Sequence, residues 1–190
     1  MNSFYSPEEL ASLGLGACGE DVLISRKASL YGAANIRLGS HVRIDDFCLL
    51  SGHVTLGSHV HIAAGALLYG GEAGITFEDY STISSRGAVY ALSDDYSGLT
   101  MTNPTVPEAY TGVSQAPVRI GKHVIIGTGS TVLPGVTVAE GCAVGAMSLL
   151  SRSTEPWGVY AGVPARRLRE RSRALLALCA RLEAEEGPRG

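Results

Sequence analysis

The chain has 190 residues, a formal net charge of −3 and a pI near 5.9. That length suffices for one substantial domain, and the charge gives no electrostatic reason to expect a nucleic acid or an anionic membrane as partner. The sequence contains neither an apolar stretch of membrane-spanning length nor the basic start and apolar run of a signal peptide. We therefore expect a cytoplasmic protein without membrane insertion.

The first predicted element is a short helix at residues 6–13. Ser6 suits the N-cap, Pro7 suits the first helical position, and Glu9 completes a capping box. Gly14 is expected to end the helix.

A six-residue repeat then governs most of the chain. An apolar residue returns at every sixth position, and a small or β-branched residue follows most of them four positions later. The apolar positions are Leu38, Ile44, Leu50, Leu56, Ile62 and Leu68, then Phe77, Ile83 and Val89, then Ile120, Ile126, Val132, Val138, Val144 and Leu150. The small positions are Val42, Cys48, Val54, Val60, Ala66, Ser81, Gly87, Val124, Ser130, Val136, Cys142 and Ser148.

This period indicates a chain folded into triangular coils, because neither an α-helix nor a flat sheet repeats at six. Each hexad supplies one short strand and one turn, and stacked coils bury the apolar residues in a prism. The strands of a β-sandwich alternate at period two between turns of variable length, so they would not keep one phase through residues 120–149. The pattern predicts an all-β fold, a parallel β-helix of about six coils.

The repeat also predicts the organisation of the chain. Residues 1–23 form the N-terminal helix and lead-in, residues 24–155 the β-helix, and residues 156–190 a turn followed by a C-terminal α-helix. Residues 91–117 break the repeat with a polar, proline-punctuated loop, and loops of this length are usually functional or disordered. Its aromatic residues favour packing over disorder.

Three motifs resemble those of a known family, the left-handed β-helix acyltransferases, and most closely its sugar acetyltransferases related to galactoside acetyltransferase and to surface-polysaccharide enzymes. They lie at residues 120–127, 132–137 and 160–166, and the likeness covers roughly residues 30–170. The resemblance implies a left-handed coil and a homotrimer with active sites between subunits. It also implies acetyl-CoA as co-substrate beside the C-terminal coils, no metal, and a long loop that covers the acceptor sugar.

The resemblance further implies which residues hold coenzyme A. The family carries basic residues after the last coil and after the Ala-Gly-x-Pro turn, where they can bind phosphates; here these are Arg152, Arg166 and Arg169. Small residues of the last coils would let pantetheine approach the backbone. These are Gly127, Ser130, Ala146 and Ser148.

The catalytic base is where this chain departs from the family. Galactoside acetyltransferase-like enzymes carry a histidine where the coil meets the long loop, whereas this chain has Asp94 and Asp95 there. Asp95, or otherwise Asp94, is expected to be the base, since adjacent side chains of extended backbone point opposite ways. An Asx turn that opens the loop is the structural alternative. Candidate acceptor contacts are Tyr69, Tyr96, Asn103 and Tyr110.

An ordinary carboxylate, with a pKa of about 3.9, is a weak base toward a hydroxyl group. An amine nucleophile requires less of its base, because an amine with a pKa of about 8 is already partly neutral. We therefore expect acetyl transfer to the amino group of a nucleotide-linked amino sugar for surface glycan synthesis. O-acetylation of a saccharide hydroxyl, with His123 or an activated aspartate as base, is the alternative. A γ-type carbonic anhydrase with zinc on His53, His59 and His61, and an inactive scaffold, are further alternatives.

The histidines also have a structural interpretation. His41, His53, His59 and His123 fall on the fourth position of a hexad, which glycine occupies elsewhere. That position favours residues that tolerate left-handed backbone, among which histidine is enriched.

Overall fold

The computed structural model describes residues 3–187, which form a left-handed parallel β-helix with a short helix before it and a hairpin and a second helix after it. The helices are α1 (Pro7–Ser12) and α2 (Leu175–Glu186), with 3₁₀ turns at Ala33–Asn35 and Glu108–Tyr110. The strands are β1 (Ala17–Cys18), β2 (Leu23–Ile24), β3 (Ser29–Tyr31), β4 (Ile36–Leu38), β5 (Arg43–Ile44), β6 (Leu49–Leu56), β7 (His61–Ile62), β8 (Leu67–Phe77), β9 (Thr82–Ile83), β10 (Ala88–Tyr90), β11 (Leu92–Ser93), β12 (Ser114–Gln115), β13 (Val118–Ile120), β14 (Ile125–Ile126), β15 (Thr131–Val132), β16 (Thr137–Val138), β17 (Ala143–Val144), β18 (Leu149–Leu150), β19 (Gly158–Gly162) and β20 (Ala165–Glu170).

The parallel strands form three faces of a prism. The first face contains β1, β4, the second halves of β6 and β8, β13 and β16; the second contains β2, β5, β7, β9, β14, β17 and β19; the third contains β3, the first halves of β6 and β8, β10, β15 and β18. Parallel pairing runs from Ala17 to Tyr160, which extends the predicted range of residues 24–155 at both ends. The first and third faces have six strands each and the second has seven, in agreement with the predicted number of about six coils.

The apolar hexad residues fill the prism, as predicted. All fifteen are at most 4% exposed, and the small positions are buried beside them. Three of the small residues are serines whose hydroxyls donate to backbone carbonyls, so no polar group is left without a partner there. Each buried aliphatic side chain contributes about 1.5–3 kcal/mol relative to exposure, which makes the stacked core the main source of stability.

Each coil turns at three corners, and the residue at a corner adopts positive φ. We call the corner between the first and second faces the ring corner: its positive-φ residues are Asp21, His41, His59, Tyr80, His123, Gly141 and Trp157. The corner between the second and third faces has Phe47, Gly65, Arg86, Gly129 and Met147. The corner between the third and first faces, the loop corner, has Gly32, Gly52, Gly71 and Gly135, and residues 91–117 are inserted there.

The corner prediction is confirmed for three of the four histidines. His41, His59 and His123 have φ of 56°, 57° and 61°. It is wrong for His53, which lies within β6, because Gly52 takes the left-handed position in that turn.

The termini differ in how well the sequence predicted them. At α1, the Ser6 hydroxyl accepts from the Glu9 N–H and the Glu9 carboxylate accepts from the Ser6 N–H, so the predicted capping box is present. At the other end, Arg166–Glu170 form part of β20, antiparallel to β19, instead of the start of a helix. The turn at residues 162–165 reverses the chain onto the edge of the second face, and Leu168 is exposed there.

Neither of the helices described within residues 3–187 is long and apolar enough to cross a membrane.

Candidate functional site

A cavity of about 960 Å³ lies between the inserted loop and the outer side of the third face. Its floor comes from β8, β10 and β15 and the residues that follow β15, and its walls come from residues 92–113 of the loop. This volume is at the upper end of small-molecule pockets and suits a ligand larger than a monosaccharide.

A short neck holds the loop in place over this cavity. Strands β11 and β12 pair antiparallel, and the Ala116 N–H donates to the Ala91 carbonyl at 2.9 Å. The side-chain oxygen of Gln115 accepts from the N–H groups of Glu72 and Ala73, at 2.8 and 3.3 Å. The loop therefore leaves and returns at the same corner and is tied to the widened turn of β8.

Asp95 organises the loop. Its carboxylate accepts hydrogen bonds from the Ser97 N–H at 2.7 Å, the Thr100 N–H at 2.9 Å and the Thr100 hydroxyl at 3.1 Å. These donors hold the pKa of Asp95 well below its usual range, because they stabilise the ionised form. A carboxylate with its lone pairs engaged and its basicity reduced is a poor proton acceptor, which weighs against the prediction of Asp95 as the base. The turn alternative describes this residue.

Asp94 has the opposite environment. Its side chain is exposed and lines the cavity, and its carboxylate makes no hydrogen bond or ion pair within residues 3–187. The only other ionisable carboxylate on the cavity wall is that of Glu108, and the described lining includes no histidine, lysine or arginine. Asp94 and Glu108 are therefore the two acidic side chains of this cavity, and of the two predicted aspartates only Asp94 lines it.

Three of the four predicted acceptor contacts line the cavity, namely Tyr69, Tyr96 and Asn103. Tyr110 does not, and is 63% exposed. The sequence prediction also missed Tyr90, whose ring stacks on that of Tyr69 with centroids 5.1 Å apart. The hexad phase would have identified it, because Tyr90 is the register partner of Tyr69 on the next coil.

A basic pocket of about 270 Å³ lies at the loop corner of the last coil, next to the residues that follow β18. It contains the predicted Arg152 and Arg166 together with Arg167, which the prediction missed. Arg169 does not line it. A bulge between Val159 and Tyr160 shifts the register of the hairpin, so the arginines of β20 do not alternate as regular strand spacing would suggest. Exposed guanidinium groups grouped in this way suit a phosphate.

The predicted small residues do not line either pocket. Ser130 and Ser148 point into the prism, where both hydroxyls donate to the Gly145 carbonyl, at 3.0 and 2.8 Å. Gly127 and Ala146 lie at the surface, and a Cβ at Gly127 would stand 2.5 Å from the Ala146 nitrogen. Gly127 is therefore required for close stacking of the coils, whatever else it contacts.

His123, the alternative base, lies at the ring corner and not at the cavity. It is 7% exposed, its ring stacks on Tyr80 with centroids 5.3 Å apart, and burial, assisted by the Lys122 charge, lowers its pKa. Its carbonyl accepts from Arg171 at 2.8 Å. Its place in the fold accounts for it without a catalytic role.

The histidines of the zinc alternative do not converge within the chain. His53, His59 and His61 lie next to different carboxylates, those of Glu72, Glu186 and Asp45 respectively. Their imidazoles are therefore directed to three separate places within one chain, which gives no support to a zinc ion held by these three residues of the same chain.

Residues 117–152 match the bacterial transferase hexapeptide family (six repeats). The chain is 45% identical over 173 residues to the dTDP-4-amino-4,6-dideoxy-D-glucose acyltransferase of Escherichia coli, which covers 90% of each chain. It is 30% identical over 148 residues to WbbJ, a putative lipopolysaccharide biosynthesis O-acetyl transferase of Escherichia coli K12, covering 75% of this chain and 72% of that one.

Among solved structures, the chain is similar to AntD, an N-acyltransferase from Bacillus cereus in complex with dTDP and 3-hydroxybutyryl-CoA. The identity is 49% and the TM-score 0.95, over 98% of this chain and 100% of AntD. A variant of AntD in complex with dTDP-4-amino-4,6-dideoxyglucose and coenzyme A matches equally well, with 48% identity, a TM-score of 0.95 and the same coverage. The likeness thus includes the inserted loop as well as the coils.

Proposed function

The chain belongs to the bacterial hexapeptide-repeat acyltransferases, and on that basis we propose that it transfers an acyl group from a coenzyme A thioester to the amino group of a nucleotide-linked 4-amino sugar. The relatives that cover almost the whole chain act on or bind this class of acceptor, by their names. The acylated sugar would then be used in surface glycan synthesis.

The observation that carries the proposal is the unpaired carboxylate of Asp94 in a cavity whose described lining has no histidine. The amine lone pair attacks the thioester carbonyl, a C–N bond forms, and the proton of the attacking nitrogen passes to Asp94. The C–S bond then breaks, the acyl group remains on the sugar nitrogen, and the coenzyme A sulfur leaves as a thiolate that takes up a proton.

A carboxylate suffices for this step because the nitrogen becomes strongly acidic once it has begun to bond to the carbonyl carbon. The free amine itself, with a pKa near 8 by analogy with an α-amino group, is partly neutral at the pH of the cell and needs no strong base to attack. A sugar hydroxyl keeps its proton until attack is well advanced, so O-acylation would demand more of the same residue.

The charges around the site support separate positions for the two substrates. Asp94 and Glu108 place two carboxylates on the cavity wall, which suits the polar amino group of the acceptor, and the basic pocket with Arg152 and Arg166 suits the phosphates of coenzyme A. Among the described residues, the cavity wall of one chain has no cation for the diphosphate of a nucleotide sugar. We therefore propose a homotrimer in which a neighbouring subunit completes the site, and a mass of 19.8 kDa by light scattering at micromolar concentration would contradict it.

The test is a thiol-release assay in which four reactions are compared. Acetyl-CoA and 3-hydroxybutyryl-CoA are each offered with dTDP-4-amino-4,6-dideoxyglucose and with dTDP-6-deoxyglucose, which carries a hydroxyl in place of the amine. We expect thiol release with the amino sugar, and mass spectrometry should place the acyl group on nitrogen. Turnover of the hydroxyl sugar at an equal rate would favour O-acylation instead. The ratio of the thiol-release rates with the two thioesters identifies the preferred acyl group.

A further inference from the structure

A second cluster of polar groups lies away from the proposed active site, where the end of α2 meets the ring corner. His41, His59 and Glu186 each direct one ligand-type atom to a common place, and these three atoms all lie within 4.8 Å of one another. Within residues 3–187 this is the one such group of three or more histidine, cysteine or acidic side chains. The reaction proposed above does not use it.

The fold aligns the two imidazoles. His41 and His59 occupy the same corner position on successive coils, both with positive φ, so their rings stack with centroids 4.6 Å apart and an angle of 18° between the planes. The column continues with Tyr80, which cannot supply a nitrogen ligand. Two imidazoles are therefore held side by side before any ligand arrives.

Neighbouring carboxylates indicate which imidazole nitrogen of His41 and of His59 faces the cluster. Nδ1 of His41 lies 3.5 Å from the Asp21 carboxylate, which leaves Nε2 of His41 as the nitrogen available to a ligand. For His41, the Asp21 carboxylate on the far nitrogen is the usual outer contact of a metal-binding imidazole, because it sets the tautomer and raises the basicity of the ligand nitrogen. Nε2 of His59 lies 3.1 Å from the Glu186 carboxylate, so this nitrogen already faces the third member of the cluster.

We propose that His41, His59 and Glu186 form a binding site for one divalent transition-metal ion, of the Zn²⁺ class, that fastens α2 to the ring corner. Two imidazoles and a carboxylate are borderline and hard ligands that suit Zn²⁺, and water supplies the fourth position of a tetrahedron.

Binding requires only a modest contraction of the cluster. With Zn²⁺ to ligand distances of about 2.0–2.1 Å, tetrahedral ligand atoms stand about 3.4 Å apart. Since the three atoms lie within 4.8 Å of one another, none of the pairs must approach by more than about 1.4 Å. The side chains of His41, His59 and Glu186 are 41%, 17% and 27% exposed, which leaves room for these rotations at the surface. The ion would replace an ion pair between one histidine and one glutamate by a link among three side chains.

Calorimetric titration of ZnCl₂ into the full-length, tag-free and chelator-treated protein tests the proposal. We expect one ion per chain, and His41→Asn, His59→Asn and Glu186→Gln should each weaken binding by at least about tenfold, as loss of a contact at a metal site does. Asparagine tolerates left-handed backbone, so the two histidine variants should keep the fold. Co²⁺ offered in place of Zn²⁺ should show the strong visible absorption of four-coordination, and Zn²⁺ should slow hydrogen exchange in α2.

His41→Asn separates the metal site from a simple ion pair, because the contact between His59 and Glu186 survives in that variant. His61→Asn is the matched control, since His61 also faces a carboxylate, that of Asp45 at 2.8 Å, but lies outside the cluster. The proposal is overturned if no Zn²⁺ binds, if His41→Asn binds as tightly as the parent chain, or if His61→Asn weakens binding as much as the cluster variants do. All of these measurements are independent of acyl transfer, so they stand or fall apart from the proposed function.

Discussion

The ring corner and the loop corner are equivalent positions of one repeating coil, yet one is filled and the other holds a cavity. At the ring corner, His41, His59, Tyr80 and His123 form a stack, with successive ring centroids 4.6, 4.7 and 5.3 Å apart. At the loop corner, the left-handed positions are glycines. Side chains close the first corner, and their absence leaves room at the second for an insertion.

The C-terminal segment seals the ring corner further. One Nη of Arg171 donates to the carbonyls of His123, Gly141 and Cys142, at 2.8, 3.0 and 3.1 Å. The stack skips Gly141, where an added Cβ would lie 2.3 Å from the Trp157 ring, so that indole covers the gap left by the glycine.

The glycines of the loop corner act through the close approach of neighbouring coils. A Cβ at Gly52 would lie 2.6 Å from the Gly71 carbonyl, and a Cβ at Gly71 would lie 2.6 Å from the side-chain oxygen of Gln115. These positions bring two coils and the neck of the loop together, and the loop then covers the third face. If this contrast is correct, substitutions at the loop corner should change catalysis, whereas those at the ring corner should change stability.

The largest effect is expected for Asp94→Asn. The amide keeps the size of the side chain but cannot take a proton, so kcat should fall by about 10²–10⁴, the usual loss for a general base. Initial rates of thiol release with saturating acceptor measure it, and the KM values should change little. Retention of near-normal kcat would remove Asp94 from the mechanism.

Arg166→Ala should have the next largest effect. Loss of an exposed charge-assisted contact costs about 1.5 kcal/mol, roughly tenfold, and should appear in the KM of the coenzyme A thioester with the acceptor KM unchanged. Arg169→Ala is the matched control, because Arg169 lies on the same strand but outside the basic pocket. Equal KM values for the two variants would mean that Arg166 is only a surface charge.

Asp95→Asn should have a smaller effect of a different kind. The amide loses one of the two acceptor oxygens that hold Ser97 and Thr100, which should loosen the loop and raise the acceptor KM by roughly 3- to 10-fold, the scale of one exposed hydrogen bond. Steady-state kinetics with the acceptor varied measures it. A loss of kcat as large as that of Asp94→Asn would return the role of base to Asp95.

His123→Asn should leave the rate of acyl transfer within about twofold, because the ring lies outside the cavity. Loss of the buried ring should lower the free energy of unfolding by about 1–2 kcal/mol. Burial lowers the pKa of His123, so the unfolded chain takes up the proton first as the pH falls. The free energy of unfolding should therefore decrease below a pH of about 6.5 and level off below the folded-state pKa.

Urea titrations at several pH values and one fixed protein concentration measure this dependence. The His123→Asn variant should lack the part of the pH dependence of the free energy of unfolding that is due to His123, because asparagine does not titrate. A variant that is inactive yet as stable as the parent chain would instead assign catalysis to the ring corner.

Much of the fold follows from spacing. The hexad phase predicted the buried residues, the coil number, the place of the inserted loop and three left-handed histidines, because every coil presents the same environment at the same position. The same arithmetic implies the pairing of Tyr69 with Tyr90, although the prediction did not use it. The short N-terminal helix was equally accessible, since a capping box depends only on residues close in the chain.

The sequence by itself therefore determined the prism, the family resemblance and an aspartate in place of histidine at the start of the loop. Only the tertiary structure distinguished the environments of Asp94 and Asp95, which have the same chemistry and adjacent positions, because the backbone that returns at Thr100 contacts the carboxylate of Asp95. It also decided that Arg167 and not Arg169 joins the basic pocket, and that Glu186 meets His59. These contacts form where the chain leaves the repeat and folds back on it, and a periodic pattern contains no information about such reversals.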